Sequence, residues 1–164
     1  MNKPERLITD LKKIEELLHG SPVGRLGTSV ENNPYVVPLC FVYHEGRIYF
    51  HSAHQGKKLV NLETNENVCF EVDESQLVKA ANPCDFTMRY WSVIAYGKAR
   101  IVRGSNDKLA IMKMMVEKYD PEKTAAPLTD KTVSNITVVE IIVDWMTGKK
   151  NELTEPYRQT GSPS

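Results

Sequence analysis

The sequence predicts a mainly β, α+β domain: a small antiparallel barrel with helices packed outside it. Three observations carry that expectation. Six segments rich in β-branched and aromatic residues recur through the chain. The first three are joined by short turn sequences, which only antiparallel neighbours allow. Just three stretches carry helical periodicity. Closure into a barrel removes the exposed edges that an open sheet would present, although an open α+β sheet fits the same pattern.

The elements follow in order. Pro4 to Leu18 places Leu7, Ile8, Leu11, Ile14, Leu17 and Leu18 on one helical face, and Gly20-Ser21-Pro22 stops that helix. Val23–Val30, Tyr35–His44 and Arg47–Ala53 read as strands, separated by Glu31-Asn32-Asn33-Pro34 and by Glu45-Gly46. Gln55–Asn65 is a short helix with Leu59 and Leu62 toward the core, and Asn67–Asp73 returns to strand. Glu74–Thr87 is polar, contains Asn82-Pro83 and reads as a loop. Met88–Val102 is the longest strand, with Gly97 permitting a bend. Ser105 is the expected cap of a helix over Asn106–Tyr119, and Ser134–Trp145 is the last strand. Residues 1–150 are expected to form a single domain, with 151–164 a polar, mobile tail.

Composition narrows the function. At 164 residues, with 41% hydrophobic and 26% charged, the chain can bury one core. Lys plus Arg and Asp plus Glu both number 21, and a net charge of zero argues against a nucleic-acid partner. The apolar runs are too short for a membrane helix, and the charged N-terminus lacks a signal peptide's apolar block. Three dispersed cysteines, Cys40, Cys69 and Cys84, read as reduced thiols, and the expected location is the cytoplasm.

The segment RIYFHSAHQGKKLVNLETN, Arg47–Asn65, concentrates the chemistry. A strand ends at His51-Ser52, Gly56 sits in the loop, and a helix opens at Lys57-Lys58. A helix start offers unpaired N–H groups and a positive dipole end. With two lysines, a hydroxyl and a histidine beside it, the segment reads as a phosphate cradle; as ordinary structure, the lysines are solvated and Ser52 satisfies a turn. It is neither a P-loop nor a GxGxxG motif. His51 and His54 form an HxxH that a strand-to-loop segment does not align on one face, and no further ligand cluster accompanies it, so no metal site is expected. No G-x-S-x-G supports a nucleophilic triad. Ser92, beside Trp91, reads as a strand hydroxyl unless its face lines a pocket.

Gly24–Glu74 (GRLGTSVENNPYVVPLCFVYHEGRIYFHSAHQGKKLVNLETNENVCFEVDE), followed by YWSVIAYGKARIV, VEKYDP and VVEIIVDWMTGK, resembles the FMN-binding split-barrel superfamily, and within it the pyridoxamine 5′-phosphate oxidase-related proteins of the nitroimidazole-resistance type. The resemblance spans residues 4–150. It implies a six-stranded antiparallel split β-barrel with flanking helices, forming a homodimer with FMN at the subunit interface. It implies that Pro38, Leu39, Cys40, Phe41, Val42 and Tyr43 run beside the isoalloxazine, largely through backbone. His51-Ser52 and Lys57-Lys58 would hold the phosphate, and Ser92 would sit near the ring edge, where pyridoxamine phosphate oxidases have glutamine. The Arg-x-His substrate motif of those oxidases is absent, which argues against that particular activity. The implied function is an FMN-dependent, nitroreductase-like oxidoreductase acting on a small molecule, with His51 the best catalytic candidate. A haem-binding or haem-degrading protein, using His44, His51 or His54, and a non-catalytic flavin-binding module are the alternatives.

Overall fold

The computed structural model describes residues 4–151. Its strands are β1 (Leu7–Ile8), β2 (Gly24–Val30), β3 (Asn33–Leu39), β4 (Val42–His44), β5 (Arg47–Ser52), β6 (Asn67–Val78), β7 (Thr87–Val102) and β8 (Thr137–Asn151). Four helices are interleaved: α1 (Leu11–Gly20), α2 (Lys57–Thr64), α3 (Ser105–Tyr119) and α4 (Asp130–Ser134). All pairing is antiparallel, in the order β3-β2-β6-β7-β8-β5-β4, with β1 added to β8. The two ends of this path, β3 and β4, are separated in the chain only by Cys40 and Phe41. The sheet must therefore curl until its ends meet, which makes a barrel, and the absence of a β3–β4 ladder leaves that barrel split along one seam.

The interior is filled by alternate residues of every long strand: Leu26, Phe41, Ile48, Phe50, Phe70, Val72, Val93, Val139 and Ile141 are essentially solvent-free. α1 contributes Ile14, Leu17 and Leu18 to the same core. α3 packs elsewhere, its Ile111 and Met115 forming a second cluster with Val42, Tyr49 and Val138. Bending of the long β7–β8 pair is concentrated at one place. The register shifts between Tyr96, opposite Trp145, and Gly97, opposite Val143, so Asp144 is bulged out. A Cβ on Gly97 would lie 2.1 Å from the Ile142 carbonyl oxygen, so glycine is required there.

Several expectations are corrected. The helix expected over Pro4–Leu18 begins only at Leu11, because Asp10 takes an extended conformation and its side chain caps Lys12 N–H. Leu7 and Ile8 instead pair with Lys149 and Gly148. The single strand expected over Tyr35–His44 is two, so six expected strands become eight. At the break, the Tyr119 hydroxyl accepts from Phe41 N–H at 2.9 Å and lies 2.9 Å from the Phe41 and Pro22 carbonyl oxygens, either of which can take its proton. A side chain thus replaces the missing ladder. The loop expected over Glu74–Thr87 is mostly hairpin: β6 pairs with β7 from Asn67–Lys98 out to Val78–Thr87. Ser105 is the first residue of α3 and does not cap it; Gly104 is the N-cap. Asn151, where a tail was expected, closes β8 with its amide donating to the Met88 carbonyl; the rest of that tail lies outside the described residues. Among those described, no helix is long and apolar enough to cross a membrane.

Candidate functional site

The cradle forms where β5 gives way to α2. Ser52 is the last residue of β5 and turns inward, only 5% exposed, and its Oγ has no hydrogen-bond partner. A buried hydroxyl without a partner costs free energy, on the order of 1–3 kcal/mol, and Trp91 Nε1 is left in the same state. Four residues on, Gly56 is the N-cap of α2 with φ +146°, a conformation open to glycine alone. No side chain caps α2 and its first turn holds no acidic residue. The Lys57 and Lys58 N–H groups are therefore uncapped here, while Leu59 N–H donates to the Gly56 carbonyl at 3.0 Å.

The surrounding groups add to this arrangement. Lys57 Nζ sits 4.9 Å from the centre of the Tyr35 ring on β3, which brings the start of β3 to the cradle. Burial, and then the charge of Lys58, push the His51 imidazole below its ordinary pKa. His51 is therefore neutral at pH 7, able to accept or donate one hydrogen bond but not to add charge. His54 Nδ1 lies 3.1 Å from Thr137 Oγ1, which engages one of its ring nitrogens. Among the described residues no cluster of three or more His, Cys, Asp or Glu side chains is placed to hold a metal.

The other sequence-predicted residues divide. In Pro38–Tyr43 only Pro38 and Cys40 are exposed, and Leu39 is partly buried. The Phe41 side chain is in the barrel core, Val42 in the second cluster, and the Tyr43 hydroxyl donates to Glu15 on α1 at 2.8 Å. Phe41 N–H and C=O both face Tyr119, so a ligand running along this segment does not find them free. Ser92 lies on the outer face of β7, opposite Asp73 on β6 and Lys149 on β8. Ser52 pairs with Thr137 at the other end of β8. From Thr137 to Lys149 is about 40 Å of extended strand, at ~3.3 Å per residue. Within one chain, Ser92 and the cradle stand beside opposite ends of β8.

Two features went unread in the sequence. Lys118, half-buried near the end of α3, lies 3.9 Å over the Phe41 ring and donates to the Leu18 carbonyl at the end of α1; burial pushes its pKa down to about 8. Glu140 is a buried carboxylate on β8 that receives Arg47 at 2.6 Å, Arg100 and the Tyr49 hydroxyl at 3.2 Å. Burial alone would raise its pKa, but the hydrogen bonds from Arg100 and Arg47 outweigh that and hold it below the ordinary carboxylate value. The signal for it was available: Glu140 is the one charged residue in the run Val138–Val143.

A curled antiparallel path with an open seam, helices outside and a basic strand-to-helix turn define the split-barrel class. Within that class, the chain belongs to the pyridoxamine 5′-phosphate oxidase family, whose profile matches residues 10–150. It is similar to a candidate 5-nitroimidazole antibiotic resistance protein from Bacteroides thetaiotaomicron, at 31% identity over 87% of this chain and 85% of that one, with a TM-score of 0.75. The same fold recurs in the FAD and heme binding protein from Mycobacterium smegmatis (16% identity, 93% and 77% covered, TM-score 0.80) and in the flavocytochrome Anf3 from Azotobacter vinelandii (19%, 96% and 76%, 0.79). No curated protein matches the sequence.

Proposed function

We propose that this chain binds FMN between two copies of itself and acts as an FMN-dependent oxidoreductase on a small molecule. The observation that carries the reading is the orphaned Ser52 hydroxyl beside the uncapped start of α2 and its two lysines. These groups fit a phosphate: the hydroxyl and the first-turn N–H groups donate, Lys57 and Lys58 neutralise charge, and Gly56 keeps the approach open. Tyr35 lies beside Lys57, and Pro38–Cys40 begins three strand positions further along, about 10 Å. That spacing suits a ribityl chain leading to a ring beside the exposed residues Pro38 and Cys40. Neutral His51 would serve as a hydrogen-bonding group at the phosphate end, which makes it a binding residue in preference to a proton carrier.

Bound FMN would supply the hydride and electron chemistry, while the protein orients the ring and excludes water. The placement of Ser92 favours two copies. A site using both Ser92 and the cradle draws them from different chains, because within one chain they stand at opposite ends of β8. The stacked, outward-facing Tyr96–Trp145 pair on the same face as Ser92 is material for such an interface.

Titration of the purified protein with FMN, with the oligomeric state read by light scattering, tests the proposal. Stoichiometric FMN in a dimer is expected, and Ser52→Ala should weaken binding by about tenfold or more. Stoichiometric FMN in a monomer would remove the two-copy site. A protein that takes up haem and ignores FMN would remove the flavin. Turnover with NADH or NADPH separates an enzyme from a binding module.

A further inference from the structure

A cleft lies away from the cradle, between α3 and the outer face of β5, β7 and β8, with a volume of about 670 Å³. That is within the usual range for small-molecule sites, about 300–1,000 Å³. Its floor is Glu140, and Arg47 and Arg100 converge on that one carboxylate. Each guanidinium has five N–H donors, and each spends a single nitrogen on Glu140. Arg100 lines the cleft and its side chain remains 61% exposed, while Arg47 holds Glu140 from outside the lining. Arg103 stands at the rim and forms no ion pair among the described residues. Arg100 and Arg103 thus line the cleft with Glu140 and Asp107; Arg47 and Arg100 together neutralise Glu140, and Asp107 lies against the start of α3 at Gly104. One wall is apolar, formed by Ile101, Ile111 and Met114.

We propose that this cleft binds a small organic anion, with its acidic head group on Arg100 and Arg103 and its apolar body against Ile101 and Met114. Glu140 acts here as a positioning residue: it fixes the Arg100 guanidinium, which would otherwise be flexible, so that less freedom is lost when an anion arrives. With Arg47 also neutralising Glu140 from outside the lining, one positive charge is left in excess, which sets the preference for an anion over a neutral analogue, and the apolar wall sets the preference for an organic acid over an inorganic ion. The inference is independent of the flavin reading, since no residue of the cradle lines this cleft.

NMR titration of amide shifts with benzoate, phenyl phosphate and benzyl alcohol tests it. Both anions should move the Gly104, Ala110 and Ile111 amides, and benzyl alcohol should bind about tenfold more weakly or not at all, because it lacks a charge-assisted partner for the guanidiniums. The relative affinity of the two anions identifies the preferred head group. Arg103→Ala should weaken benzoate several-fold. Ala110→Trp, at an exposed position of α3, should fill the cleft and abolish benzoate binding while FMN affinity is unchanged. Failure of both anions to bind, equal binding of benzyl alcohol, indifference to both substitutions, or shifts confined to the start of α2 would each overturn the proposal.

Discussion

α2 and α3 begin in the same way and fill their first turns with opposite charges. Each has glycine at its N-cap, Gly56 or Gly104, and neither glycine offers a side chain to the free N–H groups. α3 supplies its own compensation, with Asp107 in its first turn, which suits the positive end of the helix dipole. α2 does the opposite: its first turn has no acid and begins Lys57-Lys58. Placing two cations at a positive dipole end destabilises the free helix, and burying Ser52 without a partner adds to that cost. The contrast teaches that a helix start is not a binding site by virtue of being one. What distinguishes α2 is a set of unfavourable choices that a single phosphate would reverse.

Giving α2 what α3 already has should have the largest effect. Lys57→Glu places an acid in the first turn, and FMN affinity should fall by at least about a hundredfold, because one attraction is replaced by a repulsion. Lys58→Ala should cost about ten- to a hundredfold in FMN affinity and leave riboflavin, which has the ring but no phosphate, nearly unchanged. Equal losses for both ligands, read by fluorescence titration, would mean that the turn had been damaged and not the phosphate contact.

The next effect is on stability. Gly56→Ala forces an alanine to φ +146° and should lower unfolding free energy by about 1–3 kcal/mol in urea melts. Asp107→Asn, the matching change at α3, removes only a favourable dipole interaction and should cost about 0.3–1 kcal/mol. If the two substitutions cost the same, the difference between the two helix starts has been misjudged.

The smallest effect concerns pH. Lys118 has a folded pKa of about 8 against an ordinary 10.5. Between those values the unfolded chain holds more proton than the folded one, so this group makes stability rise with pH from about 8 upward. Lys118→Met should flatten that rise and should be at least as stable as the wild type at pH 7. A thermal-melting series across pH 7 to 10 that leaves the two profiles parallel would show that the ammonium is better solvated than its burial suggests.

How much of this could be read from the sequence depended on range. The turns at Glu31-Asn32 and Glu45-Gly46 are local: all four residues take positive φ, and Asn and Gly advertise it. The cradle is local too, since Ser52, Gly56, Lys57 and Lys58 lie within seven positions, and both the residues and the family resemblance pointed to it. What escaped was decided at a distance. Leu7 and Ile8 fit a helical face until Gly148 and Lys149 offer them a strand. Phe41 looks like mid-strand until Tyr119 takes over its backbone groups. Glu74–Val78 looks like a loop because it is polar, yet it is held as strand by Thr87–Trp91 across the hairpin. Ser92 is placed by resemblance near a ring edge, and only the strand register reveals that it and the cradle stand far apart in one chain.

The Tyr119 hydroxyl at the seam has a consequence for how the barrel breathes. Everywhere else the wall is closed by ladders, which open only when strands separate. At Phe41 closure depends on one phenol at the far end of α3. Undocking of α3's last turn therefore releases the Phe41 amide without disturbing any strand pair. In hydrogen exchange, Phe41 should follow the opening of α3, while Ile48 and Phe50, paired to Ile141 and Val139 on β8, should wait for global unfolding. The split in the barrel is thus a hinge line whose latch is carried on a helix, and anything that holds or loosens the end of α3 sets how often the wall beside Pro38–Cys40 comes open.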